Sequence, residues 1–185
     1  MAALGVDEAF AAVDRADFLR PEDRAYASVD APFPIGNDQT NSQPRTVRHM
    51  LKLLDVRPGD RVLDVGAGSG WTTALLARLV GPSGLVLGVE LDLELAAWGA
   101  DNLARQQTPW ASIREADPDV LGAPGEFDRI LVSASARELP QSLVDQLSDD
   151  GIMVVPVGSA MTRVRRTSEG TDITTHGSYT FVPLR

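Results

Sequence analysis

The segment LDVGAGSGW, Leu63 to Trp71, sets an acidic residue, Asp64, ahead of three glycines, Gly66, Gly68 and Gly70. A strand, a glycine-rich turn and a helix in that order present backbone amides at a helix N-terminus to a ligand. A dinucleotide fingerprint requires G-x-G-x-x-G. Here Trp71 stands where the third glycine of that pattern belongs, and its indole would obstruct the packing a pyrophosphate turn needs. G-x-G-x-G after an acidic strand end instead suits S-adenosylmethionine (SAM), which has no phosphates and whose methionyl and ribosyl parts lie along such a loop. Glu90, in VLGVELD, follows Gly70 by 20 residues, the offset at which a carboxylate accepts hydrogen bonds from both ribose hydroxyls. Asp64, Gly66, Ala67, Gly68, Gly70 and Glu90 are therefore the candidate cofactor-binding residues. Taken alone, the glycine triplet would also serve as a plain tight turn.

What the sequence lacks narrows the chemistry further. Its 185 residues contain no cysteine, which excludes thiolate catalysis, a Cys-ligated zinc and a disulfide framework. The two histidines, His49 and His176, are far apart, so no metal site is expected. His49 reads as an exposed helical residue and His176 as a loop residue. Seventeen basic against 26 acidic residues leave a net charge of -9, without the basic footprint that a nucleic-acid backbone requires. The N-terminus meets acid at Asp7 and Glu8 and has no basic n-region, so it is not read as a secretory signal. No apolar run approaches the length of a membrane span. A cytoplasmic, soluble protein is expected, with a monomer favoured.

The elements that must position these residues can be read from periodicity. At roughly one domain per 150 residues, one domain over 1–185 is expected. Within it, 1–58 are expected to form an N-terminal segment and helix, which the resemblance described below puts on the substrate side, 59–158 the SAM-binding core and 159–185 the C-terminal strands. A short helix fits 7–14. Pro32 and Pro34 then impose an irregular extended passage over 31–44. Val47, Met50, Leu51 and Leu54 fall at i, i+3, i+4 and i+7, an amphipathic helix. Strands at 62–65, 85–89, 110–114, 127–133 and 152–157 alternate with helices at 72–80, after Asp92, and at 140–147. Their continuous apolar runs suit parallel strands covered on both faces, giving an α/β, doubly wound Rossmann-like sheet. In the tail, 161–167 and 179–184 flank a turn at 168–170 and suggest an antiparallel pair. Arg163, Arg165 and Arg166 read as the wet face of an edge strand, with an acidic-peptide contact as the alternative. Trp71, Trp98 and Trp110 read as core or cavity-lining.

With the flanking segments added, nearly the whole chain, from Phe10 to Leu184, resembles the protein-L-isoaspartate O-methyltransferase family. PFPIGNDQTNSQP (Pro32 to Pro44) is the discriminating segment. LDVGAGSGW is similar to the family's SAM loop, FDRILVSASARELP (Phe127 to Pro140) to its fourth-strand motif, and LVDQLSDDGIMVVPVG (Leu143 to Gly158) to its next helix and strand. YTFVPL (Tyr179 to Leu184) is similar to its closing strand. The resemblance implies a SAM methyltransferase sheet, SAM as cofactor and S-adenosyl-L-homocysteine as product. It implies a protein or peptide partner bearing an isoaspartyl or aspartyl residue. It places Gln39, Thr40 and Ser42 at the substrate, with the Ser42 hydroxyl holding the reacting carboxylate, and Asp117 on the adenine side. Read from local pattern alone, Ser42 would instead cap the following helix, and Asp117 would sit in a solvated turn. Asn41 stands where the family has an apolar residue, ADPD (Ala116 to Asp119) where it has GDG, and the N-terminal lead-in is short.

A carboxylate with a pKa of about 3.9 is already ionised at neutral pH, so methylation needs no general base. The expected activity is esterification of an isoaspartyl carboxylate, which then closes to a succinimide. An aspartyl methyltransferase tailoring a ribosomal peptide, a small-molecule methyltransferase, and a SAM-fold binding module without activity are the alternatives.

Overall fold

In the computed structural model, which describes residues 2–184, apolar periodicity decides each layer. Helix α1 (Val6–Ala12) begins at Gly5, whose N–H is capped by the Glu8 carboxylate at 2.8 Å. Helix α2 (Pro44–Leu54) buries Val47, Met50, Leu51 and Leu54, as its 3.6-residue spacing requires. It stops at Asp55, which takes a left-handed φ of 52°. Helix α3 (Trp71–Val80) follows strand β3 (Arg61–Val65), and helix α4 (Leu93–Ala104) follows β4 (Leu85–Glu90). The Asp92 carboxylate caps α4 by accepting from the Leu95 N–H at 3.0 Å, as the sequence predicts.

Strands β5 (Ala111–Glu115), β6 (Phe127–Val132), β7 (Leu147–Val157), β8 (Ala160–Thr167) and β9 (Gly170–Ser178) complete a seven-stranded sheet ordered β5-β4-β3-β6-β7-β8-β9. The first five in that order are parallel to one another, and β8 and β9 turn back antiparallel. Successive residues of the central strands point to opposite faces, and both faces are apolar. Val62, Leu131 and Val154 join α1, α2, α3 and Leu103 of α4 in one layer. Leu63, Ile130 and Met153 face the other side, against Leu143 and Val144 of α5 (Gln141–Val144) and the loop near Ala123. That second face carries one short helix, so its covering rests largely on loops.

Three readings change. The 31–44 passage is not irregular: β1 (Phe33–Gly36) and β2 (Gln39–Asn41) form an antiparallel hairpin, turned by Asn37 and Asp38 at φ of 53° and 58°. The partner of β8 is β9 and not the segment 179–184. The latter runs back along the sheet's end, where Ser135 bridges Pro183 and its N–H bonds the Val182 carbonyl at 2.8 Å. Finally, β8 is interior and its arginines are engaged. Arg163 bonds the Leu53 carbonyl at 2.9 Å, Arg165 pairs with Asp150 at 2.7 Å, and Arg166 donates to the Leu147 carbonyl.

Candidate active site

The strand order reverses between β3 and β6, and at such a switch point the carboxyl ends of parallel strands leave a crevice. A cavity of about 300 Å³ opens there. The glycine loop after β3, the Glu90–Asp92 turn after β4, the 116–122 loop after β5 and Ser133 after β6 form its walls, and the β1–β2 hairpin covers it. No basic side chain lines it among the described residues, whereas Glu90, Asp92 and Asp117 do.

Two glycines of the loop have separable duties. Gly68 (φ +51°) lines the cavity, and its N–H donates to Glu90 Oε2 at 2.8 Å. Gly70 (φ +88°) lies outside the cavity wall, and a Cβ there would stand 2.8 Å from the Gly99 carbonyl oxygen. A Cβ on Gly99 would in turn stand 2.4 Å from the Gly68 carbonyl oxygen. Gly70 and Gly99 thus let the loop lie directly on α4. Glu90, 9% exposed, also accepts from the Asp92 N–H at 3.1 Å, so one carboxylate braces both turns that face the cavity. Gly66 and Ala67 complete the loop's lining.

Asp64 is placed elsewhere. It is fully buried beneath the loop and does not reach the cavity surface. Thr73 donates to its Oδ2 at 2.7 Å, while Oδ1 has no partner among the described residues. Burial pushes its carboxyl up to about 7, against the Thr73 hydrogen bond and with help from the Glu90 charge. Asp117 is exposed at the cavity rim, where its Oδ1 also accepts from the Asp119 N–H at 3.0 Å. Asp117 thus stands in an exposed turn that also borders the cavity.

Gln39, Thr40 and Ser42 all line the cavity from the hairpin side. The cap of α2 is Gln43 and not Ser42. The Ser42 hydroxyl makes no hydrogen bond to any described residue, and only its carbonyl is engaged, accepting from Arg15 Nη2 at 3.1 Å. A second groove, of about 650 Å³, lies alongside and shares Thr40, Ser42, Ser133 and Val182 with the cavity. Hydroxyl side chains from Thr46, Ser159, Ser178 and Tyr179 line it, and Arg45 is its one charged residue among those described.

Sequence reasoning misses the residue that shapes this side. Arg15, 5% exposed, sends its guanidinium among the carbonyls of Ala27, Val29, Ala31 and Ser42 and bonds Asn41 Oδ1 at 2.8 Å. It stacks 5.2 Å from the Phe33 ring centroid and 5.1 Å from that of Trp71. Burial lowers its pKa to about 10, so it remains cationic at neutral pH. Nothing in its local sequence marks a buried cation, since its partners lie 12 to 27 residues away. His49 is also not the exposed residue expected. Its Nδ1 lies 2.6 Å from the Tyr179 hydroxyl and pins the groove's C-terminal wall to α2. His176 falls in β9, not in a loop. Trp71 is buried and lines the cavity, Trp98 lies 4.0 Å beneath the Arg20 guanidinium, and Trp110 donates to the Ala77 carbonyl at 2.8 Å.

Comparison with known proteins places this arrangement. Residues 2–185 match the model of the family described as protein-L-isoaspartate(D-aspartate) O-methyltransferase. The protein-L-isoaspartate O-methyltransferase of Methanopyrus kandleri is 43% identical over 188 residues, covering 97% of this chain and 82% of its own. That of Methanocella arvoryzae is 40% identical, with 93% of this chain and 94% of its own covered. The crystal structure of the Plasmodium falciparum enzyme, in complex with S-adenosyl-L-homocysteine, superposes with a TM-score of 0.86 at 26% identity, over 97% of this chain and 89% of that one.

Proposed function

The chain belongs to the protein-L-isoaspartate(D-aspartate) O-methyltransferase family, and on that premise we propose that it esterifies the carboxylate of L-isoaspartyl residues in proteins or peptides, with SAM as methyl donor. The observation that carries this reading is the pair of recesses meeting at Ser42: an acid-rimmed cavity at the sheet's switch point and a hydroxyl-lined groove beside it.

The residues present suit the cofactor. SAM carries a sulfonium, an ammonium and one carboxylate, a net positive charge that Glu90, Asp92 and Asp117 complement, whereas the same carboxylates would repel a pyrophosphate. Gly66, Ala67 and Gly68 would follow its methionyl part, Glu90 would accept from the ribose hydroxyls, and Asp117 would lie on the adenine side. Asp64 and Gly70 act from beneath, holding the loop's shape. When bound, SAM supplies an electrophilic methyl group.

This chain's own task is to present the carboxylate. The Ser42 hydroxyl, free of protein partners, donates to the substrate carboxylate and orients one oxygen toward the cavity, with Gln39 and Thr40 bordering the same passage. The nucleophile is ionised at neutral pH, so no base is needed, and rate comes from alignment and exclusion of water. Methoxide leaves an ester carbonyl far more readily than oxide leaves a carboxylate, so the neighbouring backbone nitrogen attacks that carbonyl, expels methanol and closes the succinimide unaided. One domain suffices: 1–58 supply the substrate side, 59–158 the cofactor side and 159–185 the groove's far wall. No helix among the described residues is long and apolar enough to cross a membrane, and we place the activity in the cytoplasm, where SAM is made.

Calorimetric titration with SAM and S-adenosyl-L-homocysteine tests the cofactor site, and micromolar binding is expected. Methyl transfer to an isoaspartyl peptide and not to its aspartyl twin tests the substrate. The reverse preference would convert the reading to a peptide-tailoring enzyme, and absence of cofactor binding would remove it.

A further inference from the structure

The hairpin and the glycine loop face each other across the cavity, and among the described residues one hydrogen bond joins them. Asn41, at the end of β2 and 4% exposed, donates from Nδ2 to the Ser69 hydroxyl at 3.1 Å. The same carboxamide accepts on Oδ1 from Arg15 Nε at 2.8 Å. Ser69, 3% exposed, lies between Gly68 and Gly70, and its carbonyl accepts from Asn102 Nδ2 of α4 at 2.9 Å. A buried polar chain therefore runs Arg15, Asn41, Ser69, Asn102. One end is a cation that gathers the substrate-side backbone; the other is the helix on which the cofactor loop rests.

A primary amide has a donor and an acceptor on one rigid plane, so Asn41 can hold both partners only in one relative placement. Its backbone precedes Ser42, and a fraction-of-an-ångström shift there moves the hydroxyl that meets the substrate. Misplacement on that scale costs rate out of proportion to binding.

We propose that Asn41 is a positioning residue for methyl transfer: its side-chain amide registers Ser42, the residue after β2, against the cofactor loop by bridging Arg15 to Ser69. The proposal rests on the methyltransferase reading above. It assigns Asn41 no contact with the reacting atoms, and it makes the alignment of the two recesses, not the affinity of either, the quantity that Asn41 controls.

The test compares Asn41→Leu, which keeps the branching and the number of side-chain heavy atoms and removes both bonds, with Asn41→Asp and Ser69→Ala. Asn41→Asp keeps an acceptor for Arg15 and one for a rotated Ser69 hydroxyl. Steady-state methylation of an isoaspartyl peptide and calorimetric binding of S-adenosyl-L-homocysteine are measured for each and for the unaltered protein. Asn41→Leu is expected to lower kcat at least tenfold with peptide KM and S-adenosyl-L-homocysteine Kd within threefold. Asn41→Asp recovers kcat to within threefold, and Ser69→Ala lowers it at least threefold. Combining Ser69→Ala with Asn41→Leu adds nothing further, because the bond is already gone. A kcat within threefold of the unaltered protein in Asn41→Leu, no recovery in Asn41→Asp, or multiplying effects in the double variant would each overturn the proposal. Should Asn41→Leu not fold, Ser69→Ala decides, and a loss smaller than threefold overturns it. An unaltered protein that binds no S-adenosyl-L-homocysteine removes the methyltransferase reading and this proposal with it. Binding and turnover without the Asn41 effect remove this proposal alone.

Discussion

The glycine loop and the β1–β2 hairpin form opposite walls of one cavity, yet backbone conformation holds the first and a buried guanidinium holds the second. The loop's shape comes from positive φ at Gly66, Gly68 and Gly70 and from close approach to Gly99 on α4. The hairpin side has two short strands and an exposed turn, and its connecting backbone is drawn around Arg15, whose donors gather the Val29, Ala31 and Ser42 carbonyls. A wall held by steric fit tolerates no added atom. A wall held by side-chain hydrogen bonds is sensitive at the side chains that make them, Arg15 and Asn41 above all.

That contrast can be broken most severely at the loop. Gly99→Ala places a methyl 2.4 Å from the Gly68 carbonyl oxygen, and overpacking of this kind costs about 1–3 kcal/mol. Because the displaced atoms form the cofactor wall, S-adenosyl-L-homocysteine affinity is expected to fall about a hundredfold, ~2.7 kcal/mol, by calorimetry.

Arg15→Met is the corresponding lesion on the other wall. It keeps the apolar stem and strips the donors from the carbonyls of Ala27, Val29, Ala31 and Ser42. Denaturant unfolding is expected to show a loss of about 3 kcal/mol, in line with hydrogen bonds to a charged group left unmade. Peptide methylation falls at least as far as in Ser42→Ala, while cofactor affinity changes less than threefold. Equal loss of cofactor binding would show that the two walls are not independently held.

On the role proposed for Ser42, Ser42→Ala removes one hydrogen bond to the substrate carboxylate, an interaction of about 1.5 kcal/mol, and is expected to lower kcat roughly tenfold. Cofactor Kd and melting temperature stay unchanged, since the Ser42 hydroxyl supports no described residue and does not cap α2.

A separate effect, read from pH dependence, concerns Asp64. Its carboxyl is raised to about 7 from 3.8 by burial, so the folded protein holds a proton that the unfolded chain releases above about pH 4. This contribution to stability is full below that pH and is lost as pH rises through about 7. In the cofactor-free protein, Asp64→Asn should flatten the decline in melting temperature between pH 4 and 7. A decline as steep as in the unaltered protein would show that Asp64 is ionised throughout.

The legibility of the two walls in sequence differs for the same reason. Glycines at fixed spacing, Glu90 at its offset and Asp92 ahead of an apolar-periodic run are local signals, and the loop, its bracing carboxylate and the α4 cap all follow from them. The hairpin is hidden because Pro32 and Pro34 read as breakers. Its turn, Asn37-Asp38, does carry a signal, being made of residues that tolerate the left-handed φ it uses. Strand β9 escapes notice because, apart from Ile173, its side chains are polar and largely exposed, leaving no apolar alternation to detect. His49 misleads in the opposite direction, since its partner Tyr179 lies 130 residues away.

The sequence by itself determined the parallel sheet, the glycine loop and the placing of Glu90 beside it, because continuous apolar runs, backbone freedom at glycine and short offsets are properties of neighbouring residues. Only the tertiary structure decided that Asp64 and Gly70 stand behind the wall and not in it, that Ser42 is free of the helix cap, and that Arg15 and Asn41 tie the substrate side to the cofactor side. Each of those depends on which distant group fills the space or meets the hydrogen bond, and burial together with long-range pairing is settled only when the chain closes on itself.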